Sequence, residues 1–136
     1  MGSFTDFLED EVLDHVFGAA AYTAPVTLWV GLSTTTITDA GGNITQPVGG
    51  SYSRVSVTNN ATNFPASSGG AKSNGTAITF AIATGSWGTC TDFFIADSDT
   101  GGSNNILGYG VLTVAKTISS GDIASFAIGD LDLSLT

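Results

Sequence analysis

The sequence has few charged residues, and most of them are acidic. Charged side chains make up 11% of the 136 residues, and only Arg54, Lys72 and Lys116 are basic against twelve acids. The formal net charge of −9 leaves too few cations to neutralise the phosphates of a nucleic acid or the headgroups of an anionic membrane. We therefore expect neither partner, and a basic protein surface is the better electrostatic match.

Cysteine and long apolar runs are also scarce. The single Cys90 cannot form an intrachain disulfide, and its expected place is a buried position in a strand. No stretch approaches the roughly 20 apolar residues that span a bilayer, and the first residues lack the basic and apolar parts of a secretory signal. These absences predict a protein that is made and folds in the cytoplasm.

Residues with catalytic or metal-binding chemistry are few. His15 is the only histidine, and no G-x-S-x-G motif offers a nucleophile beside it. The loop 97–102 opens like a calcium loop with Asp97 and Asp99, but Gly108 stands where the closing glutamate belongs. We expect a turn at this loop, and neither an enzyme, a metal nor a cofactor.

Two groups of side chains have alternative interpretations. Three carboxylates alternate with apolar residues and are expected on the outward faces of strands, although two of them could form an acid/base pair for sugar hydrolysis. Three large aromatic residues could form a carbohydrate platform, although packing in the core is their commoner use. The carboxylates are Asp92, Asp130 and Asp132, and the aromatic residues are Trp29, Trp87 and Tyr109.

Most of the chain has the pattern of short strands separated by turns. Apolar residues make up 42%, glycine occurs 18 times, and strand-like segments run over 23–33, 51–59, 76–84, 87–96, 106–118 and 123–136, of which 87–96 has mixed faces. This pattern predicts seven or eight strands in an antiparallel β-sandwich or jelly roll. We expect one domain over 1–136, with the sandwich at 25–136 and exposed loops at 34–50 and 59–75.

The N-terminal segment 1–18 is predicted to be the one helix, capped by Ser3 and ended by Gly18. It carries five acids, and its apolar residues cover more than one face, which exceeds what a single contact with a sheet needs. We therefore interpret it as a docking element with one side on its own sandwich and the other on a neighbour. The predicted partner-binding residues are Phe4, Phe7, Leu8, Val12, Leu13, Val16 and Phe17.

Three stretches carry a resemblance that spans nearly the whole chain. They are the helix end LDHVFG, the segment KSNGTAITF and the hairpin from WGT to TGG. With these stretches the chain resembles small virion proteins of tailed bacteriophages, often labelled tail-fibre proteins, and it is similar to the β-sandwich decoration, or cement, proteins of phage capsids. The resemblance brings no catalytic motif with it.

The resemblance implies an assembly role in the virion, with two possible placements. A decoration protein would bind the major capsid protein on the outer head surface and would itself form a dimer or trimer. A tail fibre, tail adaptor or baseplate component, with a possible carbohydrate-binding role, is the alternative. The chain is short for a receptor-binding fibre and lacks a repetitive shaft, which favours decoration of the capsid.

Overall fold

The computed structural model describes residues 2–18, 20–102 and 105–135. Met1 and Thr136, which end the predicted domain, lie outside the described residues, as do Ala19, Ser103 and Asn104. In chain order the elements are β1 (Gly2–Phe4), α1 (Asp6–Val16), β2 (Thr27–Ser33), β3 (Val55–Thr58), β4 (Ala71–Ser73), β5 (Ile78–Thr79), β6 (Gly88–Ala96), β7 (Ile106–Ile118), β8 (Ser125–Phe126) and β9 (Asp132–Ser134). The mainly β class with one N-terminal helix is confirmed.

Seven strands form one curled sheet, in the order β3-β2-β6-β7-β1-β9-β4, and β5 pairs with β8 in a small second sheet. Neighbouring strands are antiparallel, except that β1 and β9 pair in parallel through Gly2 and Leu133. The two sheets share one apolar core, which agrees with the predicted sandwich.

The core follows from the period of two along the central strands. Val30 and Leu32 of β2 and Phe93 and Ile95 of β6 point to the inner face of the curled sheet, where each is buried. Full burial of such a side chain contributes about 1.5–3 kcal/mol. The small sheet and the loops close this core with Ile78, Phe80, Trp87 and Phe126, and Cys90 of β6 joins it. The predicted buried position of Cys90 in a strand is confirmed.

The outer face of the same strands carries a second apolar cluster around Phe94. Ile37, from the segment 34–50, is only 4% exposed and packs in this cluster with Phe94 and Ile106. The expectation that 34–50 is an exposed loop is therefore wrong at Ile37. Because β6 is apolar on both faces, each face needs a cover, and this segment covers the outer one.

The first residues also differ from the prediction. Gly2–Phe4 forms β1, inserted between β7 and β9, so Ser3 is not the helix cap and Phe4 is not in the helix. The alternation over three residues is too short to distinguish a strand from a helix start. A second strand, β4, lies within 59–75, where the composition predicts only a loop, and it pairs with β9.

Candidate docking site at the N-terminal helix

Thr5 joins β1 to α1 and is completely buried. Its Oγ1 donates to the Ile106 carbonyl oxygen at 2.5 Å and accepts from the Leu8 backbone N–H at 3.5 Å. Its own backbone N–H donates to the Leu107 carbonyl oxygen at 3.0 Å. One side chain therefore caps the helix and attaches it to the beginning of β7.

A second attachment lies one residue further on. The Asp6 backbone N–H donates to the Asp39 carbonyl oxygen at 3.0 Å, and the Asp39 carboxylate accepts from the Tyr109 hydroxyl at 2.8 Å. Burial, together with this hydrogen bond to a carboxylate, raises the pKa of Tyr109 to about 12. The start of the helix is thus held to both β7 and the segment 34–50.

The predicted partner-binding residues divide into two groups. Phe4 lies in β1, and Phe7, Leu8 and Val12 lie in the helix; all four are half-buried. The remaining three are exposed, at 54% for Leu13, 61% for Val16 and 80% for Phe17.

No residue of α1 is buried, although the helix packs on β7 and β1. Val16 is exposed together with Leu13 and Phe17. The reason is that contact with the sheet is made near the helix start, so the last turn lies beyond it. The exposed apolar end of α1, formed by Leu13, Val16 and Phe17, is an unpartnered surface in the described chain.

The end of the helix is fixed by local hydrogen bonds. Gly18 adopts a left-handed φ of 96°, and its N–H donates to the Asp14 carbonyl oxygen at 3.1 Å, so the predicted stop is confirmed. His15 accepts from the Tyr22 backbone N–H through Nδ1 at 3.0 Å. This exposed histidine therefore holds the chain that follows the helix, and it does not line the groove described below.

The loop that opens like a calcium site is occupied by a side chain of the protein itself. Arg54 donates from Nη1 to the Ser98 carbonyl oxygen at 2.7 Å and from Nη2 to the Gly101 carbonyl oxygen at 3.2 Å. Its guanidinium lies 4.9 Å from the centre of the Phe94 ring, and burial lowers its pKa. The loop carbonyls thus accept from a permanent cation, and no metal-ligating cluster occurs within the described ranges.

The three carboxylates with an alternative interpretation lie in two places. Asp92 lies on the outer face of the curled sheet, as expected, but it is buried there and accepts from the Ile37 backbone N–H at 3.2 Å. The carboxylate is accommodated there because the Ile37 N–H and the Thr91 hydroxyl both donate to it. Asp130 and Asp132 both line one groove on the opposite side of the sheet.

The carbohydrate platform does not form from the three aromatic residues. Trp87 is buried in the inner core, where its Nε1 donates to the Gly50 carbonyl oxygen at 2.8 Å and its ring packs on Tyr52. Trp29 and Tyr109 are half-buried beside the second cluster, on the other face. Their placement confirms packing as the use of these residues.

The fold and its surface together define a small acidic β-sandwich protein that presents an amphipathic helix without a buried residue. No helix in the described part of the chain is long and apolar enough to cross a membrane. A family model described as Podophage GP4 fiber I protein gp80 matches residues 3–134. The chain therefore belongs to this family of structural virion proteins of tailed phages, and the predicted resemblance is confirmed. A comparison with curated proteins finds no match.

Proposed function

We propose that the chain is a structural subunit of the phage tail that attaches to a neighbouring virion protein through the exposed apolar end of α1. The observation that carries this proposal is the helix itself, which is held firmly at its start and has no buried residue. The family's description as a fibre protein supports a place at the tail. The role is one of assembly and requires no catalysis.

The chemistry of the helix end determines what it can bind. Leu13, Val16 and Phe17 offer apolar area that the described chain leaves in water, and Asp10 and Asp14 lie on the same helix. A matching surface is an apolar pocket with basic residues at its rim, since the core of an interface is apolar and its rim is polar. Phe17 is the anchor because aromatic residues contribute most to such contacts.

Decoration of the capsid is the second candidate function. It is supported by the sandwich fold of the described residues and by the resemblance to β-sandwich decoration proteins of phage capsids. In this role the partner would be the major capsid protein, and the chain itself would form a dimer or trimer on the outer head surface. A protein that binds only the assembled lattice stabilises it by mass action.

Location and copy number distinguish the two placements. Virions labelled with an antibody to the chain and viewed by electron microscopy are expected to show a handful of copies at the tail. Several hundred copies on the head would favour decoration, and heads lacking the chain would then release DNA at a lower temperature. Absence from purified virions would contradict both candidates.

The docking role of the helix is tested by three substitutions, Leu13→Gln, Val16→Gln and Phe17→Gln, combined in one chain. Because all three side chains are more than half exposed, the free energy of unfolding should change by no more than about 0.5 kcal/mol per site. Incorporation into virions, measured by complementation of a phage that lacks the gene, should fall to background.

The matched control replaces three equally exposed apolar residues outside the helix, Val26, Val48 and Ile82, with glutamine. This control should assemble like the unchanged chain. Normal incorporation of the helix variant would contradict the proposal. Deleting residues 1–18 is not a suitable test, since it also removes β1 from the middle of the curled sheet.

A further inference from the structure

The second half of β7 is not paired with another described strand along its whole length. β1 pairs with β7 only at residues 108–110, and β6 pairs with it up to Val111 and again from Lys116. Between these two pairs β6 contributes the single residue Thr91, whereas β7 contributes residues 112–115, which therefore bulge outwards. Within the described ranges no strand pairs with 112–115.

A groove of about 710 Å³ runs beside this bulge, and its other wall is formed by residues 122–126 together with Gly129, Asp130 and Asp132. Cys90, Phe93 and Phe126 are buried residues that contribute to its lining. Val114 of the bulge and Ile123 of the opposite wall also line it, and both are more than half exposed. The groove therefore combines apolar lining with a free strand edge, which is the arrangement that accepts an added strand.

The charged residues that line the groove indicate which kind of peptide segment can bind there. Asp122, Asp130 and Asp132 line it against the single cation Lys116. The Asp122 carboxylate is held by the Ser119 backbone N–H at 2.8 Å, and the Asp132 carboxylate by the Ser73 hydroxyl at 2.5 Å. Two of the three carboxylates are therefore held in fixed positions. The groove carries more negative than positive charge, so it attracts a basic segment and repels an acidic one.

We infer that this groove binds an extended basic segment of a different virion protein, which adds to the free edge of β7 as a strand. Its alternate side chains would place apolar groups in the groove and lysine or arginine near the carboxylates. A second copy of this chain fits poorly because its net charge is −9. Of its three cations, Arg54 is held by its own loop, Lys116 lies in the groove, and Lys72 lies on the paired strand β4.

The inference rests on the proposed virion role in one respect, namely that the bound segment comes from another virion protein. The binding of a basic segment to the groove does not depend on that role. The groove is formed by the second half of β7, whereas α1 attaches to its beginning. A test on the purified chain therefore stands apart from the virion test of the helix. Failure at the groove would leave helix docking unaffected, and loss of helix docking would not alter peptide binding.

The experiment titrates the ¹⁵N-labelled full chain with a capped octapeptide of alternating lysine and valine and follows the backbone amides by NMR. Shifts are expected at residues 111–118 and 122–132. Asp130→Asn should weaken binding about two- to five-fold, as expected for an exposed charge pair. Asp99→Asn removes the same charge outside the groove and should leave the affinity unchanged.

Two further peptides test the mode of binding. An octapeptide of alternating glutamate and valine should not bind, because it meets three carboxylates. The lysine and valine peptide with N-methylated amides along one edge should bind at least about ten-fold more weakly, since it loses several backbone hydrogen bonds. The spectra also report whether each variant is folded.

Four results would overturn the inference. They are no shift at millimolar peptide, equal binding of the glutamate peptide, equal binding of the N-methylated peptide, and equal weakening by Asp99→Asn and Asp130→Asn. Groove shifts that depend on protein concentration without peptide would identify a second copy as the occupant instead.

Discussion

Replacing Thr5 by valine tests how the helix is attached to the sheet. The side chain keeps its shape, and its extended backbone, with φ −81° and ψ 160°, suits a β-branched residue. Only the hydroxyl is lost, and with it the hydrogen bond to the Ile106 carbonyl oxygen and the cap on the Leu8 N–H. The effect on stability therefore measures the hydroxyl alone.

The expected loss follows from these two contacts. Removing a helix cap costs about 1 kcal/mol, and leaving a buried polar group without its partner costs about 1–3 kcal/mol. The cap contact is long, so we expect a decrease of about 2–3 kcal/mol in the free energy of unfolding. For a chain of this size that lowers the melting temperature by roughly 6–15 °C. Thr5→Ser keeps the hydroxyl and should lose only about 1 kcal/mol with its methyl group.

Urea unfolding followed by tryptophan fluorescence is the assay, because Trp29 and Trp87 belong to the two apolar clusters of the fold. Thr79→Val, at an exposed threonine of β5, provides the control. Its free energy of unfolding should stay within about 0.5 kcal/mol of that of the unchanged chain. If Thr5→Val unfolds like the unchanged chain, the hydroxyl does not attach the helix. If Thr5→Ser loses as much stability as Thr5→Val, the loss comes from the methyl group of Thr5 and not from its hydroxyl.

Two other predictions concern the core. Gly31→Ala places a methyl group against the Phe94 ring and should cost about 1–3 kcal/mol in urea unfolding, whereas Gly102→Ala, with open space around it, should be neutral; equal stability of both variants would contradict the packing. Burial raises the pKa of Tyr52 to about 12 from an unfolded value of 10.0, so its contribution to stability is complete below pH 10 and is lost as pH rises through 12. Tyr52 should account for about 2–3 kcal/mol of the loss, and Tyr109, whose pKa is also raised to about 12, titrates over the same range in both proteins. Tyr52→Phe should therefore lose about 2–3 kcal/mol less than the unchanged chain, and identical pH profiles of the two proteins would refute this.

Much of the fold is encoded by local patterns. Alternation predicts β2, runs of strand-forming residues between turn signals predict β6 and β7, and glycine after a helical run predicts the helix end at Gly18. The strands β1 and β4 are not predicted from the sequence because they have only three residues each. Their conformation depends on pairing, of β1 with β7 and of β4 with β9. Short strands carry too little pattern to outweigh their neighbours in the sequence.

The helix as a docking element is also a prediction from sequence, whereas its attachment is not. Ser3 and Thr5 are both acceptable caps by residue type, and only the burial of Thr5 beneath β7 distinguishes them. Asp39 could not be connected to Tyr109, since 70 residues separate them in the chain.

The amino-acid sequence by itself determined the β class, the acidic surface and the amphipathic helix, because each depends on composition or local pattern, and its resemblance to a known family indicated the phage virion family. Tertiary structure alone decided which end of the helix is free, that Arg54 fills the loop 97–102, and that Asp122 and Asp130 lie in one groove with a free strand edge. These features join residues far apart in sequence, and only the curling and pairing of the strands brings them together.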